Sequence, residues 1–540
     1  MIFLMNTKYL TGIILVATIG GFLFGFDTAV VNGAEKSLVD LYIASALDPS
    51  NYEYARTLIT QYRFLVSSVF LIIYLVITGQ LLRLFGVRKG FFSSVVLLIP
   101  LLFFVTGYLS EKVPSQAEMA VIRDTADSVK GFVVSSALVG CIIGAALSGF
   151  IARSLGRKKG LIITAILLTV SAFGSWQPEI LNIFGTLDVF SFMIYRIVGG
   201  IGIGLASILS PMYIAEISPA NIRGRLVSWN QFAIISGMVI IYFVNYLIAR
   251  SGNEQWLITD GWRWMFFSGV IPSILFLILL VFIPETPRYL MIKNRNKEAL
   301  DIIIKISGKE NADHILAEIE STLHEKNAPW LSYGYRVILI GIFLSVFQQF
   351  VGINVVMYYA ANIFRNMGAS TDTSLLQTII VGIINMLFTV LAIFTVDRFG
   401  RKPLMLTGAL IMAVSMLSLG FSFYTGLTGI GALIFMLLYI AGFAMSWGPV
   451  TWVILSEIFP NSIRGAMSVP VATLWISNLI VSWTFPMMND NAWLTERFNH
   501  GFSYWIYGLM CLLAFMFVWK YIPETKGRSL EEIEKFWKKG

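Results

Sequence analysis

The chain has 540 residues, of which 57% are hydrophobic and only 13% are charged, and its formal net charge is +8. Soluble domains carry roughly 25% charged residues, so this composition excludes a soluble fold and predicts the lipid bilayer as the main solvent and partner. The positive charge does not indicate nucleic-acid binding. The lysines and arginines lie in short segments between apolar stretches, as they do in the cytoplasmic loops of membrane proteins.

Fourteen apolar stretches are long enough to cross the roughly 30 Å hydrocarbon core of a bilayer. They lie at residues 10–32, 62–84, 91–109, 131–152, 160–178, 188–213, 229–249, 264–283, 336–363, 375–396, 403–424, 430–455, 466–486 and 502–522. We therefore predict an all-α membrane protein. The first stretch contains several glycines and Asp27 and is too long for a signal peptide, so we expect it to be retained as a span.

One long polar interval divides the stretches into two groups, and it contains helix-forming runs at 297–305 and 312–325. Its basic character and that of the C-terminal tail predict that both termini are cytoplasmic. We predict four parts of the chain. They are an N-terminal half at 1–283 with an inserted hairpin at 62–109, a cytoplasmic helical linker domain at 284–335, a C-terminal half at 336–522 and a cytoplasmic tail at 523–540.

Three short motifs occur twice, in the same order and at almost the same spacing. Gly-Arg-Lys at 156–158 returns 244 residues later at 400–402, and the segment 216–224 returns 241 residues later at 457–465. Pro-Glu-Thr at 284–286 returns 239 residues later at 523–525. This repetition indicates a duplicated structure with two matching halves, as many transporters have.

The duplicated charges are candidate gates at the cytoplasmic ends of the helices. We expect the repeated pairs Glu216/Arg223 and Glu457/Arg464, with Arg157 and Arg401, to hold the halves together when the protein faces outward. A network that forms in only one state biases the equilibrium by its differential energy. The alternative is that the basic residues reflect membrane topology alone.

Asp27 is an acid near the middle of the first span, where insertion costs roughly 2.5–3.5 kcal/mol. Such a residue rarely lacks a partner or a task, and Arg196, deep in the stretch 188–213, is the natural partner. A structural ion pair is one interpretation. We favour proton coupling, because burial favours the neutral form of a carboxyl group.

Neutral amides and aromatic residues form a second constellation within the apolar spans. A sugar offers hydroxyls that donate and accept, which amides can match, and an apolar ring face, which aromatic rings can cover. Amides that join helices to one another are the alternative for any single glutamine. The candidate substrate-binding residues are Phe24, Gln231, Gln348, Gln349, Asn354, Tyr358, Asn385, Trp447 and Trp475.

The three histidines and two cysteines are scattered along the chain, and no nucleophile lies beside a base. We therefore predict no metal site, no enzymatic activity and no cofactor other than a co-transported proton.

Several motifs resemble the sugar porter family of the major facilitator superfamily, and within it the bacterial D-xylose–proton symporters. These motifs lie at residues 156–159, 196–200, 210–216, 284–288, 348–354, 446–450, 501–507 and 523–527. The resemblance implies the major facilitator fold, two six-helix halves around a central cavity, and proton-driven uptake of a monosaccharide by alternating access. It also implies that Asp27 couples protons, since facilitators tend to carry Asn at this position. By the same resemblance, Gln231, Gln348, Gln349, Asn354 and Trp447 contact the sugar, with Phe24 and Tyr358 alongside.

Two positions depart from the symporter pattern, because Met238 and Leu474 stand where these symporters carry glutamines. Loss of one hydrogen-bond partner for a buried hydroxyl costs about 1–3 kcal/mol, so the sugar class stands while the individual sugar is open. D-xylose is the leading substrate, and a hexose such as glucose or galactose is the alternative. A facilitator and a non-transporting sugar sensor are further alternatives. We expect a monomer in the inner membrane of a bacterium.

The family resemblance does not extend over about 35–130, where the hairpin adds two spans. Glycines and basic residues at 79–90 match those at 149–160 at a constant offset of 70. The hairpin is therefore either a tandem copy of the next two spans or an ordinary basic turn between two Leu-rich helices. In both cases we expect it to lack buried charge and to face lipid.

Overall fold

The computed structural model describes residues 7–115, 118–180, 187–219, 222–323 and 328–526. Most of the predicted tail therefore lies outside the described residues, as does the side chain of Arg464. Within the described ranges the protein consists of helices and loops, without a β-strand. This agrees with the prediction from composition, because a helix satisfies its own backbone hydrogen bonds inside a bilayer.

The N-terminal helices precede the polar interval and come in the order α1 to α10. Their bounds are α1 Thr7–Ala29, α2 Val31–Leu38, α3 Tyr52–Ser110, α4 Met119–Ser154, α5 Arg157–Trp176, α6 Asp188–Ile217, α7 Arg223–Ala249, α8 Glu254–Trp256, α9 Trp262–Phe267 and α10 Val270–Phe282. Short 3-10 and π-helical turns join α2 to α3, and a π-helical turn joins α8 to α9.

Three short helices occupy the polar interval, and two of them match the predicted helical runs. They are α11 Pro287–Ile292, α12 Asn296–Ser307 and α13 Lys309–Leu323. The C-terminal helices follow as α14 Arg336–Phe350, α15 Ile353–Asn366, α16 Thr371–Phe399, α17 Arg401–Tyr424, α18 Ile430–Met445, α19 Trp447–Ile458, α20 Ser468–Asn489, α21 Ala492–Phe498 and α22 Gly501–Tyr521. The N-terminal and C-terminal helices meet where α4 packs on α20 and α7 packs on α16.

Thirteen helical segments of the described chain are long and apolar enough to cross a membrane. One of them, α3, has 59 residues and contains a non-helical residue, Gly86, with φ 77° and ψ 168°. The chain reverses there, since the Tyr74 hydroxyl donates to the carbonyl of Ser94 at 3.2 Å across the two arms. The two arms of α3 account for the fourteenth span that the sequence predicts.

The turn at Gly86 has nearly the same backbone conformation as the turn before α5, where Gly156 has φ 94° and ψ 174°. Both are positions that side chains with a Cβ rarely adopt. Gly308 in the polar interval has a similar conformation, with φ 81° and ψ 161°, so a tandem copy and an ordinary turn both stay open.

The hairpin formed by α3 lies on the outside of the bundle, with large apolar side chains such as Phe92 and Phe103 more than two-thirds exposed. This exposure suits a lipid-facing pair. The expectation that the hairpin lacks buried charge is wrong. Arg63 is buried, and its guanidinium lies 3.0 Å from the Glu111 carboxylate and donates to the backbone carbonyl of Glu111. The interaction lies at the end of the hairpin, where the opposing acid follows α3.

The first arm of the hairpin contacts both groups of helices. Its Tyr62 hydroxyl lies 2.6 Å from Ser128 Oγ on α4 and accepts a hydrogen bond from the indole of Trp483 on α20 at 2.9 Å. Near the turn, the Ser468 hydroxyl of α20 donates to the Gln80 amide oxygen at 3.3 Å. The inserted arm thus covers the line along which α4 and α20 meet.

The duplicated motifs form the same structure twice. The first two backbone N–H groups of α5, at Arg157 and Lys158, donate to the Glu285 carboxylate at 3.1–3.2 Å. In the second copy, those of α17 at Arg401 and Lys402 donate to Glu524 at 3.0–3.1 Å. A carboxylate at a helix N-terminus satisfies unpaired donors and interacts favourably with the helix dipole. The Pro-Glu-Thr motif therefore caps the helix that the Gly-Arg-Lys motif begins.

Gly156→Ala should destabilise the protein by about 1–3 kcal/mol, because the residue has a positive φ and its new Cβ would lie 2.3 Å from the Glu285 carboxylate. Thermal unfolding in detergent measures this as a lower midpoint. Gly149→Ala is the matched control. It lies inside α4 with no atom within 4 Å of the added Cβ, so it should leave the midpoint unchanged or raise it. Equal midpoints for the two variants would contradict the capping role.

Candidate functional site

A cavity of about 1880 Å³ lies between the N-terminal and C-terminal helices. Its lining reaches one end of the bundle, where Arg153, Glu216, Arg288 and the interval helices α12 and α13 surround it. We call this the basic end, since it carries the two Gly-Arg-Lys turns and the polar interval. We call the other the opposite end. In this conformation the central cavity opens toward the basic end.

An array of neutral amides lies deep in the cavity, at the break between α14 and α15. The Asn354 amide donates to the Gln349 oxygen at 2.5 Å, and the Gln349 amide donates in turn to the Gln348 oxygen. Gln231 on α7 and Asn385 on α16 line the same cavity. The array therefore presents amide donors and acceptors from both groups of helices to whatever enters, without a net charge.

Aromatic rings form the neighbouring part of the wall. Phe24 on α1 and Trp475 on α20 approach to 5.6 Å between ring centroids, and Tyr358 on α15 lies beside them in the cavity. The Trp475 indole N–H is buried and has no hydrogen-bond partner among the described residues. A buried donor without a partner is costly, so this N–H suits a polar ligand.

Trp447 is the exception among the nine predicted substrate-binding residues. It is fully buried, its indole donates to the backbone carbonyl of Met405 at 3.0 Å, and it is not part of the cavity lining. The ring holds the start of α19 against α17. Its neighbours Phe443 and Gly448 face the cavity in its place.

Sequence reasoning missed two amides that line the cavity. Asn230 adjoins Gln231, and Asn478 follows Trp475 by three residues on α20. The Asn478 amide lies 3.5 Å from the Tyr358 hydroxyl. The signal that could have found Asn478 is helical spacing, because residues three apart share a helix face. Met238 and Leu474, the two departures from the symporter pattern, also line the cavity.

Asp27 and Arg196 meet as the sequence predicts, outside the central cavity. One guanidinium nitrogen of Arg196 donates to Asp27 Oδ1 at 2.7 Å, and another donates to the Asp27 backbone carbonyl at 2.9 Å. Arg196 is 2% exposed and also lies over the ring of Phe266. The Asp27 Oδ2 atom is buried without a hydrogen-bond partner among the described residues. The carboxylate thus keeps one oxygen outside the contact with Arg196.

In this conformation, the duplicated acids at the basic end pair with Arg157 and Arg401. Arg157 donates to Glu216 at 2.7 Å, and the Thr286 hydroxyl occupies the other Glu216 oxygen at 2.7 Å. Arg223 is exposed at the cavity mouth, and the described residues form no ion pair between it and Glu216. The expected role of Glu216 and Arg223 concerns the outward-facing state, so it stays a prediction. Glu216 pairs with Arg157 because the Glu285 carboxylate already holds the start of α5 beside it.

The second copy repeats this arrangement. Arg401 donates to Glu457 at 2.8 Å, and the Thr525 hydroxyl donates to the same carboxylate at 2.5 Å. The predicted partner Arg464 lies in the 3-10 segment Asn461–Met467, and its side chain is outside the described residues. Each cluster lies within its own group of helices, so neither cluster joins the two groups in this conformation.

The opposite end is closed by charges that do join the two groups. Glu35 on α2 is 2% exposed and accepts from Arg365 on α15 at 2.7 Å, while Lys130 on α4 lies 3.5 Å from it. Lys130 also pairs with Asp490, which follows α20. The Asn32 amide adds hydrogen bonds of 3.1 Å to two backbone carbonyls of α15. Buried charges are strongly held when paired and hydrogen-bonded, so this network keeps the opposite end shut.

The family described as "Sugar (and other) transporter" matches residues 13–537 of this chain. The chain is 48% identical to the D-xylose-proton symporter of Escherichia coli strain K12 over 546 aligned positions, which cover 98% of this chain and 96% of that protein. It is 42% identical to the glucose facilitated diffusion protein of Zymomonas mobilis, over 76% of this chain and 88% of that protein.

Among solved structures, the inward open conformation of the xylose transporter XylE from E. coli is similar, with a TM-score of 0.76 and 46% identity. The similarity covers 98% of this chain and 100% of that one. The open basic end and the closed opposite end are consistent with this conformation.

Glu35→Gln should weaken the closure of the opposite end, because Arg365 then faces a neutral amide. Loss of these charged contacts is worth about 1.5–3 kcal/mol, enough to populate a form open at that end. Spin labels on Gln255→Cys and Asp372→Cys, exposed sites on the two groups of helices, would report a longer distance. The two native cysteines are buried and should not take label.

Glu298→Gln is the control for this measurement, since Glu298 pairs with Arg295 within the polar interval. It should leave the distance distribution unchanged. A distribution in Glu35→Gln identical to that of the control would contradict the role of Glu35.

Proposed function

Because this chain belongs to the sugar (and other) transporter family, we propose that it is a symporter that couples proton entry to the uptake of D-xylose by alternating access. The chain is a transporter and not an enzyme, as its family is one of transporters. It needs no cofactor beyond the co-transported proton.

The observation that carries this proposal is the position of the Asp27–Arg196 pair. It is buried in the N-terminal helices, one turn from Phe24 and next to Thr28, both of which line the central cavity. An ionised pair at this depth is costly, so proton binding at Asp27 changes how α1 is held against α6. The arrangement lets the protonation state of Asp27 influence the wall of the sugar site.

A neutral sugar suits the cavity better than an ion does. The described lining at the depth of Gln348 and Trp475 is made of amides, aromatic rings and apolar side chains. A charged site would lose hydration free energy when it bound a neutral sugar, and the sugar has no charge that would compensate for this loss. Eight of the nine predicted substrate-binding residues lie in this cavity.

The basic end is cytoplasmic in this proposal, because the positive loops and the polar interval lie there. The described conformation then faces inward, and both termini are in the cytoplasm of a bacterium with the chain in its inner membrane. The division into halves at 1–283 and 336–522, with a linker at 284–335 and a tail at 523–540, follows from the same scheme. We propose that the protein acts as a monomer.

We infer from this conformation how the charged clusters at the basic end act as gates. The Arg157–Glu216 and Arg401–Glu457 clusters, with Arg223 and Arg464, come together across the cavity mouth when the transporter faces outward. The ion pairs within each group of helices keep the loops at the basic end in position for that contact. The Glu35 network must break at the same time, which keeps one end closed in each state.

The individual sugar depends on Met238 and Leu474, because a methionine thioether is only a weak hydrogen-bond acceptor and a leucine side chain forms no hydrogen bond. A hexose–proton symporter is the second candidate, favoured by these two cavity positions and by similarity to a glucose-transporting protein. Uptake into proteoliposomes under an imposed pH gradient, with labelled xylose, glucose, galactose and arabinose compared, decides between them. Uptake that ignores the gradient would show facilitation instead of symport.

Asp27→Asn should abolish gradient-driven accumulation of the sugar while leaving exchange and binding. The amide cannot take up a transported proton, yet it can still accept a hydrogen bond from Arg196. Uptake and counterflow in the same proteoliposomes measure the two activities. Continued uphill accumulation by this variant would refute the role of Asp27.

Gln349→Ala should weaken sugar binding by roughly five- to a hundredfold, because it removes the centre of the amide array, worth about 1–3 kcal/mol. Trp447→Phe is the matched variant. It should change affinity by less than about threefold but lower stability by about 1 kcal/mol through loss of the bond to Met405. Titration calorimetry and thermal unfolding separate the two effects. An equal loss of affinity in both variants would place Trp447 in the binding site.

A further inference from the structure

Two buried serine hydroxyls on α5 make no hydrogen bond to any described residue. Ser171 and Ser175 are both 0% exposed, and both Oγ atoms are without a partner there. On the same helix, the hydroxyls of Thr164 and Thr169 donate to the backbone carbonyls four residues earlier at 3.1 and 2.8 Å. Helical serines can bond in the same way, and an unsatisfied buried hydroxyl costs about 1–3 kcal/mol. Each of the two serine hydroxyls can therefore form a hydrogen bond with a further partner.

The first of these serines lies close to the open oxygen of Asp27. A Cβ built on Gly199 of α6 would lie 2.3 Å from Ser171 Oγ and 3.8 Å from Asp27 Oδ2. Both oxygens thus flank the same glycine. Asp27 Oδ2 is the oxygen that Arg196 leaves unbound, so the two unsatisfied groups share one buried region.

A small cavity adjoins this region and is separate from the sugar cavity. Its volume is about 10 Å³, and it is lined by Asp27, by Leu168 and Ala172 of α5, and by Ser273 of α10. That volume suits about one water molecule. Ala172 directly follows Ser171, so the cavity lies between Asp27 and the part of α5 that carries the serines, while neither serine lines it.

Ser175 extends this line toward the opposite end. It follows Ser171 by four residues, which places the two hydroxyls on one face of the helix about 5–6 Å apart. α5 begins at Arg157 on the basic end and ends at Trp176, so Ser175 lies in its last turn. Ser175, Ser171 and Asp27 thus follow one another in this order from the last turn of α5 toward the first span, and we call them the file.

We propose that Ser171 and Ser175, with water between them, form the route by which protons from the external medium reach Asp27. A hydroxyl accepts a proton on its oxygen while it passes its own proton on, so it relays without a net change. The proton leaves an external water, moves along Ser175 and Ser171, and bonds to Asp27 Oδ2, which becomes neutral. This inference rests on the proposed symport and on the external position of the opposite end.

The relay is independent of the sugar path. α1, α5 and α6 all belong to the N-terminal helices and pack on one another, so the file lies within one group of helices. The sugar, in contrast, enters between the groups. Arg196 of α6 is the charged group in contact with Asp27, and the thiol of Cys141 on α4 is a further titratable group near it. The lining residues from α5 and α10 are not titratable.

The test is gradient-driven xylose uptake by the double variant Ser171→Ala/Ser175→Ala in proteoliposomes. We expect initial uptake to fall on the order of tenfold, as positioned proton-transfer groups contribute at least that much. Xylose exchange without a gradient should stay near the wild-type rate. Removal of an unsatisfied hydroxyl does not cost stability, so the unfolding midpoint should not fall. Thr164→Ala/Thr169→Ala is the matched control, because these hydroxyls already bond to the backbone, and it should retain uptake.

Each of the other outcomes contradicts either the relay or the proposed symport. Uptake at the wild-type rate in the serine variant overturns the relay alone. Equal loss of uptake and exchange assigns the serines to the fold or the sugar path, which also overturns it. Wild-type uptake that ignores the pH gradient overturns the proposed symport, and the relay with it.

Discussion

The buried ion pair between Asp27 and Arg196 is the constraint on which the rest of the structure depends. Charges inside a membrane are tolerated when they are paired or hydrogen-bonded, and this pair fixes α1 against α6 through the side chain and the backbone of one residue. α1 also carries Phe24, a wall of the central cavity. One interaction therefore links the site that we propose to bind the proton to a wall of the cavity that we propose to bind the sugar.

The same rule about buried charge shapes the two ends of the molecule in opposite ways. At the basic end, Glu216 and Glu457 are each satisfied within their own group of helices, so the groups can separate there without leaving a charge unpaired. At the opposite end, Glu35 is satisfied by Lys130 and Arg365, one from each group. Opening that end requires new partners or water for Glu35. The distribution of partners makes this conformation stable with one end open.

The inserted hairpin adds two helical arms to the edge of the bundle. α3 enters and leaves the bundle at the opposite end, and its turn at Gly86 repeats the geometry of the turn at Gly156. It contacts α4 and α20 through Tyr62 and Trp483, at the seam between the two groups. Because its remaining face is apolar and exposed, lipid serves as its other neighbour. The hairpin thus widens the bundle, and near its turn Gln80 and Arg83 contribute to the lining of the central cavity.

The sequence by itself determined the helices, the duplication and the pairing of Asp27 with Arg196. Apolar length dictates spans in a bilayer, and two deeply buried opposite charges have few other choices. Only the tertiary structure decided which arginine Glu216 takes, that Trp447 lies behind the cavity wall, and that Glu35 closes the opposite end. Spacing along one helix says which residues share a face, but it does not say which distant helix that face meets. Partner choice between helices is set by their packing, and that is why these contacts became visible only in three dimensions.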